Sequence, residues 1–190
     1  MRAARLAPLE APYEDAIAEQ FDRFMPPGVP PLVLFRTLAH NPRVLRKFFA
    51  GSLLDRGSLG LRERELAILR TCFRCGSEYE WGVHVTVFAK RAGLSDEEVR
   101  ATCAAVPSEG VFSNRDVAIL RLCDALHDSA DVDDALFAEL STDFEGAQLV
   151  ELLVLAGFYH AVSFVTNALR IEREPSAARF SVASAARSEA

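Results

Sequence analysis

An all-α fold is predicted by three observations. Helix start and stop signals divide nearly the whole chain into helical segments. No alternation of apolar and polar residues bounded by hairpin turns occurs anywhere. Half of the 190 residues are hydrophobic, enough to build a core in a chain of one-domain length. The first helix, Tyr13 to Phe24, ends at Pro26-Pro27-Gly28-Val29-Pro30-Pro31, which neither a helix nor a central strand absorbs. A short segment, Leu32 to Ala39, follows. Asn41 then caps a helix whose first position is Pro42 and which runs to about Leu54, with Gly57 and Gly60 beyond it. The fourth helix covers Leu61 to Arg74. After Gly76, Ser77-x-x-Glu80 has the form of a capping box opening a fifth helix that stops at Gly93. Ser95-x-x-Glu98 opens a sixth, ending before Pro107. Ser113 opens a seventh to about His127, and Asp131 an eighth. The last helix is long, from about Asp143 to Arg170, before Glu174-Pro175.

The organisation that follows has three parts: an N-terminal helix and Pro-rich linker (1–31), a helical domain (32–172), and a C-terminal stretch (173–190) whose Ala/Ser/Arg-rich end, from Ser176, has the composition of a mobile tail. Twenty-one basic against 27 acidic residues give a net charge of −6. Nucleic-acid binding through phosphates needs a basic face, so no nucleic-acid partner is expected. The most apolar stretch, Ala147 to Ile171, is interrupted by Gln148, Glu151, His160 and Asn167, and no membrane span is expected from it. The first residues lack the apolar core of a secretion signal, so the protein is expected to be cytoplasmic and its cysteines (Cys72, Cys75, Cys103, Cys123) to be thiols.

The last helix is apolar nearly all the way round, from Leu149 to Val165. Such a helix demands burial on every side, and a homo-oligomeric neighbour is expected to supply part of it. His160, Ser163 and Asn167 share one narrow stripe on it, suited to lining a pocket or bonding across an interface. An internal echo joins the fourth and seventh helices: Arg64-Glu65-Leu66-Ala67-Ile68-Leu69-Arg70-x-Cys72 recurs as Arg115-Asp116-Val117-Ala118-Ile119-Leu120-Arg121-x-Cys123.

On a wheel at ~100° per residue the fourth helix gathers Leu66, Ile68, Leu69, Cys72 and Phe73 on one arc, with Glu63, Arg70 and Arg74 turned away. Glu65 falls inside the apolar arc, where a carboxylate needs a partner or a raised pKa. The next helix offers Glu80 and His84 at i, i+4, with Trp81, Val85 and Phe88 forming the adjoining apolar face. Two carboxyls and an imidazole among aromatics suit proton transfer. Each also has a plainer use: Glu80 as the capping-box partner of Ser77, His84 as a core histidine, Glu65 in a buried bridge to an arginine. The trio matches no strong metal-ligand spacing, and neither metal nor cofactor is expected.

The segment LRERELAILRTCFRCGSEYEWGVHVTVFAKRAGLSDEEV resembles the core of the carboxymuconolactone decarboxylase / alkyl hydroperoxidase D superfamily, and the resemblance extends from about Leu32 through the last helix. It implies an all-helical, AhpD-like subunit in an obligate homo-oligomer, a trimer or hexamer, with sites near subunit contacts. The peroxidase branch of that family uses a glutamate, a CxxC at a helix N-terminus and a histidine four residues after the second cysteine. Counted back from His84, the cysteine places hold Glu80 and Ser77, and Glu65 stands where the relay glutamate would be. Cys72 and Cys75 lie five residues too early.

The expected function is therefore that of a cofactor-independent lyase or isomerase acting on a small lactone or oxo-acid. His84 is its general acid or base, Glu65 orients His84 or shares its proton, and Glu80 is the second acid. Trp81, Phe88, Arg91 and Ser77 form the substrate-binding set, with Arg91 placed to hold a carboxylate. Two alternatives stand beside it: a thiol peroxidase using Cys72 and Cys75, and a non-catalytic oligomer that binds a ligand between its helices.

Overall fold

The computed structural model describes residues 3–107 and 110–180. Among these residues there are helices and turns but no strands. The helices are α1 (Asp15–Phe24), α2 (Val33–Leu38), α3 (Pro42–Gly51), α4 (Leu61–Arg74), α5 (Glu78–His84), α6 (Asp96–Ala101), α7 (Asn114–Ser129), α8 (Asp134–Asp143) and α9 (Gly146–Leu169). Asn41 caps α3 by accepting from the Val44 amide, and Ser95 and Ser113 open α6 and α7 with reciprocal capping boxes. Helix α8 starts two residues later than expected, because Asp133 rather than Asp131 takes the capping bond, from the Leu136 amide at 2.8 Å. The single helix expected from Ser77 to Gly93 is α-helical only to His84. It then widens into a π turn, Val85–Ala89, a form that is frequent at functional sites.

Helix α4 is the axis of the bundle, with α5, α7 and α9 packed on it. Arg70, which the wheel turns away from the core, is completely buried, because α7 covers that side of α4 as well. Its guanidinium is fully provided for by Asp124, at 2.6 and 2.7 Å, and by the carbonyls of Thr102 and Ala104. The pairs Arg62–Asp116, Arg70–Asp124 and Arg74–Asp128 keep one separation of 54 residues along both helices, so α4 and α7 run in the same direction.

Helix α9 buries Leu152, Leu155, Tyr159, Val162 and Ser163 within the bundle. Its opposite face stays open in the single chain, with Val150 61 % and Phe164 65 % exposed. By length and mean hydropathy (1.7) this helix is apolar enough to cross a membrane, despite the polar residues that interrupt it. The C-terminal segment is docked as far as it is described. Phe180 packs against Phe73 and Trp81, and the Ala178 amide donates to Thr86 Oγ1 at 3.1 Å. Gly82 makes this crossing feasible, since a Cβ there would lie 2.2 Å from the Ala178 carbonyl oxygen. Residues 176–180 are thus part of the packed structure, and the rest of the expected tail, 181–190, lies outside the described residues.

Candidate functional site

Glu65, His84 and Glu80 converge. Glu65, in the first half of α4, is wholly buried, as are His84 (2 % exposed) and Glu80 (6 %) at the two ends of α5. One Glu65 oxygen, Oε2, lies 2.7 Å from His84 Nδ1. The other accepts from Arg64 Nε and Nη2 at 3.0 and 2.9 Å, while Arg64 Nη1 donates to the Leu54 carbonyl. The far ring nitrogen, His84 Nε2, meets the Tyr159 hydroxyl at 3.1 Å and Glu80 Oε1 at 3.6 Å. A chain of polar atoms thus runs from Arg64 through Glu65 and the imidazole to Tyr159 and Glu80.

The charge balance of this chain decides the state of His84. Burial opposes a charged imidazolium, but the bonds to Glu65 and then to Glu80 outweigh it and raise the His84 pKa to about 9. The ring is therefore an imidazolium at neutral pH, donating from Nδ1 to Glu65. Burial, with Glu80 next, pushes the Tyr159 phenol well above its ordinary pKa and keeps it protonated, its oxygen accepting from Nε2 of the charged ring. Phe88 lies against the His84 ring at 5.2 Å between centroids, and Arg64 and Arg91 each place a guanidinium over the Phe88 ring.

The capping box read from Ser77-x-x-Glu80 does not form. Ser77 makes no side-chain cap bond; its hydroxyl is paired with Thr166 Oγ1 at 2.8 Å, in the contact between α5 and α9. Glu80 is turned inward instead, and its Oε2 is buried without a hydrogen-bond partner, the state of an acceptor reserved for a proton or a ligand. The expected substrate-binding residues divide. Phe88 covers His84, and Arg91 is exposed beside Phe88. Trp81 turns elsewhere, its indole donating to Thr102 Oγ1 and its ring packing on Phe180, while Ser77 is committed to Thr166. Arg64 and Tyr159 belong to the site and were not among the expected residues. Arg64 adjoins Glu65 in sequence, but Tyr159 comes from a helix 75 residues away.

Neither thiol of the CxxC has an activated character. Burial raises the Cys72 pKa well above the ordinary thiol value, with Glu80 adding to it, and burial raises that of half-exposed Cys75. Cys72, Cys75 and Cys123 are in no disulfide.

Residues 41–110 match the model of the carboxymuconolactone decarboxylase family. The match spans helices α3 to α6 and includes Glu65, Glu80 and His84. No curated protein matches the sequence. Among solved structures, an uncharacterized peroxidase-related protein from Silicibacter sp. TM1040 shares the fold with a TM-score of 0.77 at 16 % identity, covering 92 % of this chain and 94 % of that one. The debrominase Bmp8, solved with 2,3,4-tribromopyrrole, gives a TM-score of 0.70 at 16 % identity, covering 92 % and 94 %. A peroxidase-related protein with an AhpD core from Ralstonia eutropha JMP134 gives 0.66 at 21 %, with the same coverage. At these identities the likeness is one of fold. Neighbours whose names span peroxidase-related proteins and a debrominase show one all-helical scaffold beside more than one chemistry.

Proposed function

We propose that this protein belongs to the carboxymuconolactone decarboxylase / AhpD-like superfamily and is a cofactor-independent acid–base enzyme acting on a small lactone or oxo-acid, with His84 as the proton-carrying group. The observation that carries this reading is the buried imidazole held between two carboxylates, charged at neutral pH and touching the hydroxyl of Tyr159. Arg64 neutralises Glu65, so Glu65 fixes the ring and its Nδ1 proton rather than reacting itself. Glu80, with an open acceptor oxygen, takes a proton from the carbon next to the substrate carbonyl. The imidazolium returns a proton from Nε2, through Tyr159 or directly, to the oxygen or carbon that has gained electron density. Phe88 covers the reacting centre, and exposed Arg91 beside it suits a substrate carboxylate.

The expected assembly is a homo-oligomer, trimeric or hexameric, formed through the open apolar face of α9, in the cytoplasm. A contiguous apolar surface of this kind on a soluble protein is ordinarily covered by a partner.

The test is proton exchange in deuterated water across a panel of lactones and 2- and 3-oxo-acids, followed by NMR. Wild-type protein is expected to exchange or convert at least one of them, and His84→Ala and Glu65→Gln to abolish turnover while far-ultraviolet circular dichroism and oligomer size stay unchanged. Full activity in both variants would overturn the assignment. Bound but unconverted compounds throughout the panel would favour the non-catalytic binding oligomer.

A thiol peroxidase is the second reading. It draws on Cys72, which lies within the electrostatic reach of both Glu80 and Cys75. It requires a thiolate that the burial of both sulfurs opposes. Alkylation rates measured against pH would decide it, because a Cys75 that reacts only at or above the ordinary thiol pKa of ~8.5 is not a redox nucleophile.

A further inference from the structure

A second cluster of reactive side chains lies at the other end of α4. Cys75 is the C-cap residue of α4, His127 stands in the last turn of α7, and His160 lies midway along α9. Three helices distant in sequence bring one thiol and two imidazoles together. The Cys75 sulfur is 3.7 Å from His127 Nδ1, and the His127 and His160 rings are 5.3 Å apart. One ligand atom from each of the three lies within 4.8 Å of those of the other two.

We propose that Cys75, His127 and His160 form a binding site for a divalent transition metal ion of the zinc class. The donor set is one thiolate sulfur and two imidazole nitrogens, which suits a borderline-soft ion and excludes calcium and magnesium. Zinc bonds of ~2.0–2.3 Å imply ligand atoms somewhat closer together than they stand here, a change within reach of side-chain rotation. His160 Nε2 is buried with no hydrogen-bond partner among the described residues, an arrangement that costs free energy unless the nitrogen has a use. The backbone of the thiol ligand is fixed, because Asn167 Nδ2 donates to the Cys75 carbonyl at 2.8 Å. Half-exposed Cys75 and His127 leave a side open to solvent, so the ion would hold three protein ligands and water in a fourth position.

The site is independent of the proton relay proposed above, and its test does not need a substrate. The full untagged chain, reduced and stripped with a chelator, is titrated with cobalt(II) alone and then with zinc(II) in competition with a chromogenic chelator. The expected result is one ion per chain, a near-ultraviolet thiolate-to-cobalt band with visible bands of tetrahedral type, and displacement of cobalt by zinc. Cys75→Ser is expected to remove the thiolate band. His127→Gln and His160→Asn are each expected to weaken zinc binding by ~10-fold or more, while circular dichroism reports an unchanged fold. If Cys75→Ser does not fold, the two histidine variants carry the test, because His127 is partly exposed and His160 Nε2 has no hydrogen bond to lose. Absence of stoichiometric binding by the wild-type chain would overturn the proposal. So would binding that survives the substitutions unchanged.

Discussion

Helices α4 and α7 carry nearly the same string of residues, lie side by side and run in the same direction, yet they use their buried acids differently. On α7, Asp116 is satisfied locally and across the contact: it completes the Ser113 capping box and accepts from Arg62 at 2.9 Å. Arg115 returns the favour to the start of α4 by binding Glu63 at 2.8 and 2.9 Å. On α4, the equivalent Glu65 is satisfied by its own neighbour Arg64 on one oxygen and by an imidazole on the other. The two cysteines differ in the same way. Cys123 donates to the Ala67 carbonyl inside the α4–α7 contact, whereas Cys72 faces the acids and Ser163. A sequence echo therefore marks equivalent packing, and the partner of the acid decides which copy joins the buried imidazole.

The contrast is broken most strongly by neutralising each acid in turn. Glu65→Gln keeps its shape but cannot hold the imidazolium, so turnover should fall by ~10²–10⁴-fold, the range of general acid–base catalysis. Asp116→Asn should leave the rate constant per folded molecule within about twofold, as expected of a group outside the reacting site. Comparable losses in both variants would show that the two acids share one structural role.

The next largest effect is on the titration of His84. In wild-type protein the imidazole carbon protons should titrate near pH 9, well above the unfolded value of about 6.5. In Glu65→Gln, burial is left opposed only by Glu80, and the midpoint should fall by more than one pH unit, read by NMR. The linkage has a defined sign. A group whose pKa is raised by folding contributes its full stability below the unfolded pKa and loses it as pH climbs through the folded one. Wild-type stability should therefore decline between about pH 6.5 and 9, and denaturant midpoints for Glu65→Gln should show a much shallower decline there. An equal slope in both proteins would remove Glu65 as the cause.

Asp116 should show itself in stability instead. Removing its charge leaves Arg62 with Glu98 and the Gly93 carbonyl and weakens the cap of α7. Arg62 is one-third exposed, so solvent screens part of the loss. Asp116→Asn should cost on the order of 1–2 kcal/mol in urea denaturation, without moving the His84 titration.

These contrasts also show what could be read before the fold was known. The bounds of α4, the caps of α3, α6 and α7, and the inward direction of Glu65 follow from local rules, because capping and helical periodicity depend on residues within one or two turns. Ser77-x-x-Glu80 obeys the same local rule as Ser95-x-x-Glu98 and still fails to form a box. Thr166, distant in sequence, takes the Ser77 hydroxyl, and His84, one turn on, draws Glu80 into the interior. Tyr159 and the Cys75–His127–His160 cluster depend on α9 crossing α4 and α7, and no spacing within one helix encodes that crossing. The stripe of His160, Ser163 and Asn167 was legible as a stripe. What it faces, Cys75 and its surroundings rather than His84, was set by packing.

The smallest predicted effect sharpens the comparison at the helix ends. Helix α4 is closed by left-handed Gly76 (φ 65°), one residue after its C-cap, and α7 by a left-handed C-cap, Ala130 (φ 56°), so the left-handed position lacks a Cβ in one and carries one in the other. An alanine in this region is strained by ~1 kcal/mol, and glycine relieves it at some cost in chain entropy. Ala130→Gly should therefore raise stability by about 0.5 kcal/mol, while Gly76→Ala should lower it by ~1 kcal/mol, both measured by urea denaturation. The added Cβ at Gly76 would meet nothing within 4 Å, so its cost is one of backbone conformation alone. Opposite signs at the two positions would establish that the left-handed conformation sets the energy at both ends and that only α4 has the residue best suited to it. Equal signs would mean that the neighbourhood of Cys75, and not the turn, sets the energy of the α4 end.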